Sequence, residues 1–154
     1  NQHFLCSKRR LDPSFGHYRG VLVDLFYDHF LAANWEDYAD VPYSVFISDA
    51  WRVLCEHREF LPDKLQRIIP FMFSDWLPSY IEIGGIAAVL HRISHFRIKR
   101  ANCLGEGAEA LSRHYGELYG DFRKFLPELI AFSGFIAKNE EISSPPSVSL
   151  TIVD

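Results

Sequence analysis

The stretch Val21-Leu22-Val23-Asp24-Leu25-Phe26-Tyr27-Asp28-His29-Phe30-Leu31 constrains this chain more than any other. It is an apolar, helix-like run that carries two carboxylates and a histidine. An ideal helix turns about 100° per residue, so Asp28 falls about 40° from Asp24, one turn along, and the two share a face. Val21, Leu31 and Trp35 lie close to that face, while Leu22, Leu25, Phe26 and Phe30 cover much of the rest. A helix apolar on nearly all sides belongs in the middle of a domain. Buried carboxylates are costly unless they are paired, hydrogen-bonded or bound to a metal. Two readings follow. Either the helix holds an ion, or Asp24 and Asp28 pair with arginines of other helices and His29 is a core histidine. On the ideal wheel His29 points about 100° away from Asp28, so the three converge only on an ion lying beside the helix. Hard carboxylates with imidazole suit manganese, iron or zinc, with magnesium also admissible.

The 154 residues fit one domain, and 48% hydrophobic content with thirteen phenylalanines supplies a sizeable core. A formal net charge of −4 argues against a general nucleic-acid binder. Cys6, Cys55 and Cys103 are odd in number and widely spaced, which matches neither a zinc site nor a disulfide framework. Three free thiols, no apolar run of membrane-spanning length and no leader pattern set the expectation of a cytoplasmic protein. The chain begins at Asn1 rather than Met, which reads as a fragment or a trimmed chain.

Turn chemistry at Asp12-Pro13-Ser14-Phe15-Gly16 separates the basic Lys8-Arg9-Arg10 cluster from an opening helix over about 17–34. A second helix is expected over about 43–56. A third starts at Leu61-Pro62-Asp63, with Pro70 set to interrupt it. Ser74-Asp75 could cap a short helix through Tyr80, and Gly84-Gly85 marks a break. Ile86, Val89, Leu90, Ile93 and Phe96 form one apolar stripe of a further helix. After a loop at 102–107, one long helix is expected over 106–137. The polar tail, 138–154, reads as a mobile segment outside the domain of residues 1–137, and Ser147 to Val153 could pass for a short strand without a partner. The fold class is all-α, a compact helical bundle.

The run Tyr18-Arg19-Gly20-Val21-Leu22-Val23-Asp24-Leu25-Phe26-Tyr27-Asp28-His29-Phe30-Leu31-Ala32-Ala33-Asn34-Trp35 resembles the acyl carrier protein phosphodiesterase family. Asp75-Trp76-Leu77-Pro78-Ser79-Tyr80 and the stretch from Tyr115 to Ala131 resemble it in the same order. The resemblance implies a divergent form of the helical HD-type metal phosphohydrolases. It implies hydrolysis of the phosphodiester that links 4′-phosphopantetheine to a serine of holo acyl carrier protein, with a divalent metal, usually manganese. The metal positions it carries over are Asp24, Asp28 and His29, with Asp28 and His29 also the catalytic candidates. The family also has an earlier segment with Gly-Asp-Phe and His-Arg-x-x-Asp motifs that contribute further ligands, and neither motif precedes His3-Phe4 here.

An acidic carrier protein calls for a basic docking face. Arg92, Arg97, Lys99 and Arg100 surround the end of one helix, where they also complement its dipole. Lys8-Arg9-Arg10 forms the other cluster. His91 and His95 share a face, but no carboxylate or cysteine completes a metal set there. Two competing readings are a non-catalytic helical binding protein with a structural acidic network, and a hydrolase of another phosphodiester.

Overall fold

The structure is a computed structural model that describes residues 2–97 and 104–143, with side chains placed outside 95–97 and 139–143. The elements in order are α1 (Gln2–Arg10), a 3-10 turn (Pro13–Tyr18), α2 (Arg19–Ala33), a 3-10 turn (Trp35–Asp37), α3 (Tyr43–Glu56), a 3-10 turn (Arg58–Phe60), α4 (Asp63–Phe71), a π-helical turn (Met72–Trp76), α5 (Leu77–Ser79), α6 (Ile83–Arg97), a 3-10 turn (Leu104–Glu106), α7 (Gly107–Arg113) and α8 (Tyr115–Ser143). No strand occurs among the described residues, so the fold is all-α. The strand reading of Ser147 to Val153 and the first two residues of the loop expected at 102–107 fall outside the described residues.

α2 is the inner rod. It packs against α1, α6 and α8, and Leu22, Val23, Phe26 and Phe30 are fully buried. Phe30 and Phe122 meet at 5.7 Å between ring centres, and Tyr27 and Phe122 at 5.5 Å. Ile86 and Leu90 of α6 and Leu118 of α8 close the same core. One stripe of α2 departs from the expected burial. Val21, Asp24 and Asp28 are exposed.

α1 carried no apolar periodicity strong enough to predict it, and it lies antiparallel to α8. His3 pairs with Glu128 at one end and Arg10 with Glu117 at the other. Between them sits a buried polar lock. The Ser7 hydroxyl donates to Asp121 Oδ2 at 3.1 Å, which leaves Tyr27 to donate to Ser7 Oγ at 2.8 Å. Arg10 grips the same carboxylate with Nε at 2.7 Å and a second nitrogen at 3.3 Å. Burial pushes the Asp121 carboxyl up, but the bonds from Arg10 and Ser7 outweigh it and hold the group below the ordinary carboxylate range. Asp121→Ala is expected to cost about 2–3 kcal/mol in urea denaturation at pH 7. A carboxyl held low stabilises the fold above its unfolded value and loses that contribution as pH falls through its folded value. The gap between native protein and variant should therefore close in acid.

The interruption expected at Pro70 is real but slightly later. α4 runs to Phe71 and opens into the π turn, where the Met72 amide is shared between the carbonyls of Ile68 and Ile69. A proline lacks the donor that would close the regular ladder and crowds the carbonyl four residues back, which favours a wider turn. Ser74 and Asp75 lie inside that turn and cap nothing. Gly84-Gly85 does not break the chain but opens α6. A β-carbon at Gly85 would strike the Ser79 carbonyl, so this close approach needs glycine. The long closing helix is two helices, divided at His114, whose φ of −110° leaves the helical range. α8 then continues past Ala137 to Ser143.

Candidate functional site

The open stripe of α2 carries the two predicted carboxylates. Asp24 and Asp28 face the same side, one turn apart, and neither is in an ion pair among the described residues. Among the described residues no arginine network surrounds them. Burial raises the Asp24 carboxyl, with Lys8 opposing. Asp28 is pushed further, to about 6, first by the protein packed around it and then by the charge of Asp24. The Asp28 residue is exposed, yet desolvation by the neighbouring protein is the largest influence on its carboxyl.

Two tyrosines lie close enough to feel the charge of Asp28. Tyr43 opens α3 and donates its hydroxyl to the Leu77 carbonyl at 2.9 Å. Tyr80 follows α5 and is buried. Burial, and then the charge of Asp28, push both phenols up to about 12, so both stay neutral. One turn beyond Asp28 the same helix face reaches Ala32, where a cavity of about 380 Å³ opens between Ala32, Trp35, Tyr43 and Ile81.

His29, the third predicted ligand, has both ring nitrogens hydrogen-bonded to other groups. Its ring is buried. Nδ1 lies 2.8 Å from the Tyr80 carbonyl and Nε2 3.1 Å from the Tyr115 hydroxyl. A carbonyl only accepts, so Nδ1 carries the proton and Nε2 accepts from Tyr115. Both ring nitrogens are thus used in tying α2 to the Tyr80 turn and to α8. Burial lowers the His29 pKa, against the opposing effect of the Tyr80 carbonyl, and the ring stays neutral.

The cofactor that the family resemblance implies is a divalent metal. Among the described residues no three histidine, cysteine, aspartate or glutamate side chains come together to hold one. Two carboxylates one turn apart are a partial set, so the described residues do not fit a complete manganese centre. The predicted docking patch is only partly within view. Arg92 pairs with Asp75 across the π turn. The Arg97 side chain, Lys99 and Arg100 lie outside what is described, as does His95.

Sequence reasoning missed Tyr43 and Tyr80. Tyr80 ends the Asp75-to-Tyr80 stretch that carried the family resemblance, which was the available signal. Tyr43 had none, since it reads as the first residue of an amphipathic helix.

Comparison with known proteins now adds to this geometry. The family description "Acyl carrier protein phosphodiesterase" matches residues 1–129. Proteins of that name from Pectobacterium atrosepticum, Photorhabdus laumondii and Klebsiella pneumoniae are similar. The first is 27% identical over 143 residues, 92% of this chain and 68% of the relative. The second is 28% identical over 130 residues, 82% of this chain and 61% of the relative. The third is 26% identical over 124 residues, 79% of this chain and 62% of the relative. The chain thus spans a little under two thirds of the length of most of these relatives. No solved structure matches it, and none of its described helices is long and apolar enough to cross a membrane. The family match runs through α2 with its paired carboxylates, through the Tyr80 turn and into α8: the chain belongs to the acyl carrier protein phosphodiesterase family.

Proposed function

We propose that this protein hydrolyses the phosphodiester joining 4′-phosphopantetheine to the serine of holo acyl carrier protein, with Asp28 moving the proton. The observation that supports it most is an accessible carboxyl free of ion pairs, raised to about 6, on the helix central to the family match. A group that titrates close to neutrality is suited to both halves of the reaction. As the carboxylate, Asp28 takes a proton from the attacking water while a new P–O bond forms. As the acid, it returns that proton to the serine oxygen as the old P–O bond breaks. Tyr80, neutral at working pH, offers its hydroxyl toward developing negative charge, while the Tyr43 hydroxyl is held by the Leu77 carbonyl.

The metal dependence implied by the resemblance belongs to this proposal. Manganese, when bound, would supply charge stabilisation at the phosphoryl oxygens. The experiment incubates the native protein with holo acyl carrier protein, with and without manganese, and follows release of 4′-phosphopantetheine by mass. Conversion to the apo form is expected, and a carrier that keeps its prosthetic group in both arms overturns the proposal.

A second reading is favoured by the fully engaged His29. In it, the chain binds the carrier without cleaving it. Asp28→Ala would then change stability while leaving no activity to lose.

A further inference from the structure

We propose that Tyr115 is a positioning residue: its hydroxyl fixes which nitrogen of His29 carries the proton, and through His29 it seats Tyr80 near Asp28. Tyr115 is the first residue of α8, half-buried where the helix restarts after His114. Its hydroxyl lies 3.1 Å from His29 Nε2. Its ring packs edge-on against His29 at 5.7 Å and Phe30 at 5.1 Å between ring centres. At the other edge of the imidazole, Nδ1 lies 2.8 Å from the Tyr80 carbonyl. A neutral imidazole has one proton for two nitrogens, and the bond made at one nitrogen settles the state of the other. With Tyr115 donating to Nε2, the proton stays on Nδ1 and His29 donates to Tyr80. Without that hydroxyl the proton can pass to Nε2. Nδ1 would then turn a lone pair toward the carbonyl, and an attraction becomes a repulsion.

The segment that this bond holds is gripped elsewhere too. The Tyr43 hydroxyl donates to the Leu77 carbonyl at 2.9 Å, and the Ser79 hydroxyl to the Trp76 carbonyl at 2.7 Å. Gly85 of α6 lies against the Ser79 carbonyl. The hold from His29 differs from these, because it depends on a third residue. It also acts on Tyr80 itself, whose buried phenol lies close enough to Asp28 to feel its charge. A shift of the Tyr80 backbone carries that phenol with it, and a misplacement of about 1 Å can cost roughly 100-fold in rate. The kinetic consequence rests on the proposed hydrolase reading, while the lock on His29 does not.

Long-range proton–nitrogen spectra of the labelled protein read the tautomer, with the His29 ring identified by its loss in His29→Gln. The native ring should carry its proton on Nδ1. Tyr115→Phe keeps the ring packing and removes the hydroxyl, so it should mix the two tautomers and displace the ring signals of Tyr80. Tyr119→Phe removes a hydroxyl one turn along α8, from a ring that packs on Phe30 at 5.3 Å, and should leave both signals in place. Signals unmoved in Tyr115→Phe overturn the inference, and so does a Tyr119→Phe that moves them equally. Hydrolysis of holo acyl carrier protein gives the second readout. Tyr115→Phe should lower kcat by about 10- to 100-fold with KM nearly unchanged, since the interaction lost is made in the transition state. In a Tyr80→Phe background it should cost little more, because the group it positions is gone. An unchanged kcat overturns the inference, as do two losses that multiply. A native protein that cleaves nothing, with both signals still moved in Tyr115→Phe, defeats the proposed activity alone. Cleavage by the native protein, with both signals unmoved in the variant, defeats this inference alone.

Discussion

Asp28→Asn is expected to lower hydrolysis of holo acyl carrier protein by at least about 100-fold, the usual scale for loss of a general acid–base group, and yet to make the protein more stable. The two effects have one cause. Asp28 is held in surroundings that disfavour its charge, and its folded value of about 6 lies above the ordinary 3.8. Between those values the folded state binds more protons than the unfolded state, so stability falls as pH rises through that window. At pH 7 the carboxylate is charged and the fold bears the full penalty. Asparagine keeps the shape and removes the charge. Because the side chain is open to water, the gain is discounted to about 1 kcal/mol. Thermal melts at pH 7 and pH 4 check this, since the difference should shrink to near zero at the lower pH. A variant that is inactive and less stable at pH 7 would mean that the carboxylate is part of the scaffold.

His29→Ala is expected to be the most damaging single change to stability, at about 3–4 kcal/mol from the lost side chain and the stranded partners. It leaves the Tyr80 carbonyl and the Tyr115 hydroxyl without their shared bridge and opens a hole between α2 and α8. The pH signature is opposite to that of Asp28. Burial lowers the His29 pKa below its ordinary 6.5. As pH falls through 6.5, the unfolded state takes up a proton that the folded state resists, so stability is lost on acidification. His29→Gln, which can reach one of the two partners, should remove that acid sensitivity at a smaller cost. Urea midpoints at pH 5 and pH 8 for the three proteins separate the effects. If His29→Gln kept the full acid sensitivity, another group would be its source.

The helices legible in the sequence were those whose apolar spacing and flanking prolines agreed. α3, from Tyr43 just after Pro42 to Glu56, fell where the periodicity put it. α1 was not legible. Gln2-His3-Phe4-Leu5-Cys6-Ser7-Lys8-Arg9-Arg10 is mostly polar, and its order comes from contacts with α8, more than a hundred residues away. The break at His114 was hidden because Leu111, Tyr115 and Leu118 keep helical spacing across it.

The site was legible to a similar degree. Spacing alone placed Asp24 and Asp28 together and His29 off their face, and the fold agrees. Which neighbour His29 would choose was not readable. That depends on where a backbone carbonyl fifty-one residues later and a tyrosine eighty-six residues later come to rest. The openness of the carboxylate stripe was equally hidden, because an apolar helix gives no sign of which of its sides will lack a neighbour.

The grip of Ser7 and Arg10 on Asp121 also bears on kinetics. It joins positions 114 and 111 residues apart, and closing a loop of that size costs on the order of 4 kcal/mol of chain entropy. A contact so remote is expected to form after the folding barrier is crossed. Weakening it should then speed opening while leaving the refolding limb of a chevron almost unmoved. The first helix is in that sense a late clasp: it governs how long the native state lasts more than how quickly it is reached.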